Sequence, residues 1–214
     1  MVFRTDLAVE ARELLEKDIG GTDYFTQRYG DVTLTRLKIK TPEAAGKMGK
    51  PEGTYLTFDV PPFSDDFRDP AARIELIGKE LASLLPQRGL ILVAGLGNTE
   101  ITPDNLGPKT AKGVLATRHI TGELARSTGL DDLRPVAVLA PGVLGQTGIE
   151  TGELLYSVTQ KLRPAALIVV DALAPEGWIV WAVPSRYRIQ GSARDQGWET
   201  PGLKSTVRLW EYRW

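Results

Sequence analysis

The stretch that decides the fold class of this chain is Gly89-Leu90-Ile91-Leu92-Val93-Ala94-Gly95. A continuous apolar run of this kind is typical of a strand that is covered on both faces. Two similar runs follow at residues 136–140 and 165–170, and segments with helical spacing of apolar residues lie between them at 108–127 and 150–162. This alternation predicts an α/β fold, a three-layer, mostly parallel sheet with helices on both faces.

The part of the chain before this stretch has a different pattern. Residues 32–39 and 54–60 alternate apolar and polar side chains, which predicts two strands with one solvated face each. We expect them to form an N-terminal β-hairpin whose long loop is the polar segment 41–53. Apolar residues at helical spacing predict further helices over 7–17 and 71–85.

Composition excludes several classes of protein. The 214 residues include 26 basic and 27 acidic side chains, so the net charge of −1 gives no electrostatic reason to expect nucleic acid or an anionic membrane surface as a partner. The absence of Cys rules out disulfides, thiolate zinc sites and Cys nucleophiles, and a single His rules out any site built on two histidines. We therefore expect neither a metal nor a cofactor.

Membrane insertion and secretion are not expected either. No uncharged apolar run reaches the roughly 18 residues that a membrane helix needs. Arg4, Asp6 and Glu10 give the first ten residues a charged character unlike that of a signal peptide. A chain without Cys also suits a reducing compartment.

Two aspartates fall where the predicted parallel strands end. The carboxyl ends of such strands share one rim, so residues 95–108, 141–151 and 171–173 are expected to meet there. Asp104 lies in the first of these segments, and Asp171 directly follows five apolar residues, a costly place for a charge unless it is paired or functional. Two neighbouring carboxyl groups can divide the work of peptide hydrolysis, one holding a proton while the other activates water. Spacing alone equally allows each aspartate to cap the helix that follows it.

Other catalytic patterns fit poorly. Gly95-x-Gly97 lacks the third glycine of a dinucleotide fingerprint, since Glu100 occupies that place and Pro103 interrupts the expected helix. Neither a phosphate-binding P-loop nor a serine nucleophile elbow is present. His119 falls inside the predicted helix 108–127, and we expect it to have a structural role.

Several motifs, in order, resemble the germination protease family of spore-forming bacteria. They cover about residues 4–174, and they are Arg4–Ala11, Gly95–Asn98, Thr102–Pro108, Thr117–His119, Ala140–Thr151 and Asp171–Ala174. The resemblance implies an endopeptidase that degrades small acid-soluble spore proteins during germination. It also implies a homotetramer of the spore core, made as an autoprocessed zymogen, with a fold like that of the hydrogenase-maturation endopeptidases.

The resemblance also assigns roles to individual residues. Asp104 and Asp171 correspond to the two aspartates proposed as catalytic in the family. The family's propeptide cleavage sequence maps onto Thr5-Asp6-Leu7-Ala8-Val9-Glu10, with scission between Asp6 and Leu7. The alternative for this segment is an ordinary helix N-terminus capped by Thr5 or Asp6.

Five loop residues are candidates for shaping the site. Gly95, Gly97 and Asn98 would form a loop that lets the substrate backbone approach. Gln146 and Thr147 are candidates for substrate contacts. For these last two, a purely structural role in their loop is the stronger alternative.

The resemblance stops after Ala174, where the character of the sequence changes. All five Trp lie within residues 178–214. Read one base out of frame, codons for residues 193–200 allow Pro-Gly-Ser-Gly-Val-Gly-Asn, the order in which family members continue. The sequence thus predicts a protease-like α/β domain over 1–174, incomplete relative to the family, and an atypical Trp-rich tail over 175–214 that is translated out of frame.

Three alternatives remain at this point. The tail could be a real element whose Trp side chains anchor an interface. The chain could be a catalytically inactive, truncated relic of the protease. A binding module for a small anion or nucleotide, using the glycine-rich loops, is the third possibility. If the tail is out of frame, we expect little protease activity from this chain.

Overall fold

The structure is a computed structural model, and it describes most of the chain in five ranges: 19–60, 70–130, 132–172, 187–194 and 205–213. The predicted helix over 7–17 and the predicted cleavage site at Asp6 and Leu7 lie outside these ranges. The chain divides into two compact units. The first contains residues 1–84, 173–195 and 209–214, and the second contains 85–172 and 196–208.

The described residues form eight strands and six α-helices. The strands are β1 (Thr22–Tyr29), β2 (Val32–Ile39), β3 (Gly53–Val60), β4 (Ile91–Gly95), β5 (Val136–Leu139), β6 (Ala166–Ala172), β7 (Tyr187–Arg194) and β8 (Ser205–Arg213). The helices are α1 (Pro42–Met48), α2 (Ala71–Ser83), α3 (Leu106–Gly113), α4 (Gly122–Thr128), α5 (Leu144–Thr147) and α6 (Thr151–Leu162). A short 3₁₀ helix spans Thr102–Asp104.

The first unit contains the predicted N-terminal hairpin. Strands β2 and β3 pair antiparallel, with Ile39 opposite Gly53 and Thr33 opposite Asp59. Strand β1 precedes them and pairs antiparallel with β2. The sequence did not predict β1 because its side chains are exposed on both faces, which leaves no alternation of apolar and polar residues.

The segment predicted as a loop over 41–53 contains helix α1, so that prediction was wrong. Thr41 caps the helix, accepting a hydrogen bond from the Ala44 N–H at 3.2 Å, and Pro42 occupies the first turn. Gly49 ends it in the left-handed conformation, with φ at 60°. Seven residues are too few to show helical periodicity, although these end signals were present in the sequence.

Helix α2 covers one face of the hairpin. Its Leu76 and Ile77 pack against a cluster of buried strand residues that consists of Val32, Leu34, Leu56, Phe58 and Val60. The predicted helix over 71–85 is thereby confirmed, with its last turn shortened to Ser83.

The second unit contains the predicted parallel sheet. Strand β4 lies between β5 and β6 and pairs parallel with both, Ile91 lying opposite Val136 on one side and Ala166 on the other. All five residues of β4 are buried. One face of the sheet packs against α6 through Leu155, Val158 and Leu162. The mixed α/β fold with a parallel sheet and an N-terminal hairpin is therefore confirmed.

The single helix predicted over 108–127 was wrong, because the structure has two short helices, α3 and α4, there. Val114 leaves α3 in an extended conformation. The following segment then bonds to the sheet, where the N–H groups of Thr117 and Arg118 both donate to the Val136 carbonyl at 3.0 and 2.9 Å. His119 consequently lies in an exposed turn and not in a helix.

Part of the tail adds to the first unit. Strand β7 pairs antiparallel with β3 over Tyr187–Ala193, with Ile189 opposite Phe58. Within the described ranges, no helix is long and apolar enough to cross a membrane.

Candidate active site

The candidate site lies where the parallel strands β4 and β6 end, in the second unit. Loops follow each strand at this rim, as they do at the ligand sites of other parallel α/β sheets. The predicted site residues of this unit lie at the ends of β4 and β6, in the loop after β4, and, for Gln146 and Thr147, in the short helix α5 that follows β5. The first of them, Asp104, ends the 3₁₀ helix in the loop after β4.

Asp104 is held by the backbone of its own loop. Its Oδ2 accepts a hydrogen bond from the Asn98 N–H at 2.8 Å. Gly97, with φ at 117°, lets the two segments approach, because a Cβ at that position would overlap the Asp104 carbonyl oxygen and lie 3.0 Å from Oδ1. The side chain is half-buried. The structure therefore does not show Asp104 capping helix α3, whose N-cap residue is Asn105.

Asp171 is the second-last residue of strand β6. Its Oδ1 accepts a hydrogen bond from the N–H of its neighbour Ala172 at 2.8 Å, and its side chain is half-buried. The residue before it, Val170, accepts a hydrogen bond from the Leu96 N–H at 2.8 Å. This bond extends the pairing of β4 and β6 to the residue directly before Asp171.

One short segment, residues 96–98, links the two aspartates. At one end Leu96 is bonded to Val170, next to Asp171, and at the other end Asn98 is bonded to Asp104. Gly107 packs against this segment and β6 together, because a Cβ there would lie 2.5 Å from both Leu96 N and Val170 O. The structure thus brings both predicted aspartates to the same rim, with their backbone fixed by hydrogen bonds.

Sequence reasoning did not single out Gly107. The sequence contained a signal, because Gly107 lies directly before Pro108 at the start of a predicted helix, and glycine has a low helix propensity. Such a glycine indicates a close packing contact. Gly95 has a related position. A Cβ on it would meet the Gly107 backbone and lie 2.8 Å from the Ala111 Cβ, so the chain's own helix α3 makes the close approach.

Gln146 joins the loop after β5 to the loop after β4. Its Nε2 donates to the Asn98 Oδ1 at 2.8 Å, and the Glu100 N–H donates to the same oxygen at 2.9 Å. Thr147 instead bonds within its own loop, where its hydroxyl accepts from the Ile149 N–H at 3.2 Å. Gln146 is therefore connected to Asp104 through Asn98.

The chemistry available at this rim is that of carboxylates. The described residues contain no group of three or more His, Asp or Glu side chains placed to hold a metal ion. His119 is exposed in its turn. Two half-buried carboxyl groups on fixed backbone can accept a proton from water and return one to a leaving group.

Comparison with known proteins assigns the family. The model of a family described as germination protease matches residues 3–180. This chain belongs to the germination protease family. The match includes every segment that forms the candidate site.

Curated germination proteases from several bacteria are similar to the chain. The protein from Clostridium perfringens is 38% identical over 179 residues, which cover 80% of this chain and 55% of that protein. The protein from Caldanaerobacter subterraneus is 39% identical over 176 residues, with 80% and 54% covered. The Bacillus cereus protein is 37% identical over 183 residues, with 80% and 49% covered. The chain spans about half the length of the curated relatives it matches.

Among solved structures, a NiFe hydrogenase maturation protease from Thermococcus kodakarensis is similar to the chain at 18% identity and a TM-score of 0.35. The match covers 61% of this chain and 78% of that protein.

Proposed function

We propose that this chain carries the catalytic residues of an aspartate-dependent endopeptidase, with Asp104 and Asp171 as the reacting groups. The observation that carries the proposal is their placement. Residues 96–98 are hydrogen-bonded at one end beside Asp171 and at the other end to the Asp104 carboxylate. The main-chain N–H of Asn98 fixes the orientation of the Asp104 carboxylate, and catalysis benefits from a reacting group that is already positioned.

The proposed mechanism divides general acid and general base between the two carboxyl groups. The ionised carboxylate removes a proton from a water molecule as that water attacks the scissile carbonyl. The protonated carboxyl group gives its proton to the departing amine. Catalysis of this kind contributes about 10²- to 10⁴-fold to a rate.

The proposed substrates are the small acid-soluble proteins of the spore core. Family membership supports this, as does the chain's own segment 5–10, in which Asp6 precedes Leu7 as an acid precedes a bulky apolar residue in the family's cleavage sequence. We include in the proposal autoprocessing between Asp6 and Leu7, a homotetrameric assembly and a location in the spore core. Gly95, Gly97, Asn98, Gln146 and Thr147 would shape or contact the substrate-binding loops.

The C-terminal tail, residues 175–214, is proposed to be translated out of frame, next to the protease-like domain over 1–174. Trp has one codon, TGG, so joining its last base to the first two bases of the next codon gives Gly at both Trp181-Ala182 and Trp198-Glu199. The order recovered from residues 193–200 is that of the family. The match to the family model ends at residue 180, close to the proposed boundary.

The experiment that tests the catalytic proposal uses a complete relative. In the Clostridium perfringens protein, the aspartates that align with Asp104 and Asp171 are each changed to Asn, and cleavage of a purified small acid-soluble spore protein is followed by mass spectrometry. Each change should lower the rate by about 100-fold or more, because each removes a proton-transfer group. A rate within twofold of the parent for either variant would contradict the proposal.

A further inference from the structure

Strand β5 forms an open edge of the parallel sheet beside the candidate site. It pairs with β4 on one side and, among the residues that the structure describes, is the last strand of the sheet on the other. All four of its residues are partly exposed, whereas all five residues of β4 are buried. Its sequence, Val136-Ala137-Val138-Leu139, has no charged residue to discourage pairing with another chain.

The hydrogen bonds show which main-chain groups face outward from this edge. The Ile91 N–H of β4 donates to the Pro135 carbonyl at 3.1 Å, so the Pro135 carbonyl points toward β4. Successive residues of a strand point their N–H and carbonyl groups to opposite edges, so those of Val136 point away from β4. Both of these Val136 groups are hydrogen-bonded to Thr117. The Val136 N–H donates to the Thr117 Oγ1 at 2.9 Å, and the Val136 carbonyl accepts from the Thr117 N–H at 3.0 Å.

The same alternation turns the main-chain groups of Val138 outward. Within the ranges that the structure describes, no segment continues the pairing past Val136. One N–H and one carbonyl in extended geometry therefore face outward between the segment at Thr117 and the end of the strand. This pair is what an extended peptide uses when it adds to a sheet edge.

We infer that the outer edge of β5 at Val138 binds the extended backbone of the substrate polypeptide as an added strand. The inference rests on the proposed endopeptidase function. Continuity with the site favours this occupant, because a short loop joins β5 to helix α5, whose Gln146 is bonded to Asn98, and Asn98 is bonded to Asp104. A peptide on this edge would run toward that loop, about 4.8 Å from β5.

The length of the open edge also favours a short extended segment. Thr117 covers the beginning of the edge, and Pro141 follows two residues after the strand ends. Only a few residues of a bound chain can pair there. Recognition through the backbone would leave sequence preference to side-chain contacts in the surrounding loops.

The test uses the 214-residue chain and a fluorescein-labelled peptide with the sequence of residues 1–14, which contains the proposed cleavage sequence. Val138→Pro removes the outward N–H and leaves the bonds of β5 to β4 in place. Thr26→Pro is the matched control. Thr26 lies on strand β1, an edge strand in the first unit, and its main-chain N–H and carbonyl point away from β2. Binding is measured by fluorescence anisotropy.

We expect Val138→Pro to weaken binding about tenfold and Thr26→Pro to leave it unchanged, since the backbone hydrogen bond donated by residue 138 is lost only at β5. A second arm places an N-methyl group on single amides of the peptide, one at a time, and measures binding to the unaltered chain. At least one position should weaken binding by a similar factor, and this arm does not depend on how well a variant folds.

Three results would overturn the inference. They are equal binding to the Val138→Pro and unaltered chains, equal binding of every N-methyl peptide, and no binding of the parent peptide to the unaltered chain. Sedimentation velocity adds a separate outcome. If Val138→Pro changes the oligomeric state and leaves peptide binding as it was, the edge serves a second copy of the chain and the inference is wrong.

Cleavage of the same peptide, followed by mass spectrometry, separates this inference from the proposed function. Cleavage is measured with a hybrid that joins residues 1–174 to the C-terminal part of the Clostridium perfringens protein, since the 214-residue chain is expected to cleave little. Binding to the 214-residue chain that depends on Val138, without any cleavage by the hybrid, would support the edge and count against the protease. Cleavage together with binding that Val138→Pro leaves unchanged would support the protease and count against the edge.

Discussion

Among single residues, Gly97 has the clearest structural requirement at the site. Its φ of 117° and its contact with the Asp104 backbone leave no room for a side chain. We expect Gly97→Ala to lower the free energy of unfolding by about 3 kcal/mol, combining backbone strain with overlap. Thermal or urea unfolding followed by circular dichroism measures this change.

The control for this variant is Gly78→Ala. Gly78 lies in helix α2, is exposed, and has no atom within 4 Å of its Cβ position. There alanine should be neutral or stabilising by about 0.5–1 kcal/mol. Equal effects of the two alanine substitutions would show that Gly97 has no special requirement.

The buried Arg73 of helix α2 gives a second prediction at this scale. It is 6% exposed and pairs with Asp31, its Nε donating to Asp31 Oδ1 at 3.2 Å. Asp31→Ala should destabilise the protein by about 3 kcal/mol, because it removes a carboxylate that pairs with a buried guanidinium. Unfolding in urea measures the loss.

The matched control is Glu75→Ala, which removes the exposed ion pair with Lys79 on the same helix. We expect little measurable change in stability from it, because exposed pairs contribute little. A loss as large as that of Asp31→Ala would contradict the distinction between buried and exposed pairs.

Among the elements, helix α1 depends on its cap. Thr41→Ala should cost about 1 kcal/mol of stability, since the Ala44 N–H loses the hydroxyl that accepts its hydrogen bond. Thr121 is the N-cap residue of α4 but makes no side-chain capping bond, so Thr121→Ala should cost less. Hydrogen exchange of the first-turn amides and urea unfolding measure both. Equal costs would mean that the capping bond contributes nothing.

The helices and strands also show which elements sequence patterns can predict. The buried strands β4, β5 and β6 were predicted because an apolar run of four to six residues has few alternative structures. Helix α1, strand β1 and the break between α3 and α4 were missed. Helix α1 is too short to show periodicity, and β1 is exposed on both faces. The break between α3 and α4 depends on tertiary contacts, the bonds from Thr117 and Arg118 to Val136, that periodicity does not record.

The candidate site follows the same rule. The rim argument predicted the segments that hold Asp104 and Asp171, because parallel strands end on one side of a sheet. The bond from Gln146 to Asn98 could not be predicted, since it joins residues that are 48 positions apart. The role of Gly107 was likewise missed, because it depends on where strand β6 lies.

For the whole molecule, the open question is the reading frame of the tail. We expect the nucleotide sequence of this locus to show a single-base change near codons 170–180, with the family's sequence continuing in the shifted frame. An intact frame there, with no alternative open frame, would refute the proposal.

The same proposal predicts the activity of the molecule. The purified 214-residue chain should cleave a small acid-soluble spore protein slowly or not at all, since the loops and strands encoded beyond the shift would be missing. Mass spectrometry of the digest measures this. Robust cleavage would show that the tail is a working part of the enzyme.

The most direct test of the central claim joins residues 1–174 of this chain to the corresponding C-terminal part of the Clostridium perfringens protein. Asp104→Asn, Asp171→Asn and, as a control, Asp132→Asn at an exposed position are introduced, and cleavage of a small acid-soluble spore protein is measured. The account predicts that the parent and Asp132→Asn cleave equally and that the other two are slower by about 100-fold or more. Cleavage at the parent rate by Asp104→Asn or Asp171→Asn would contradict it.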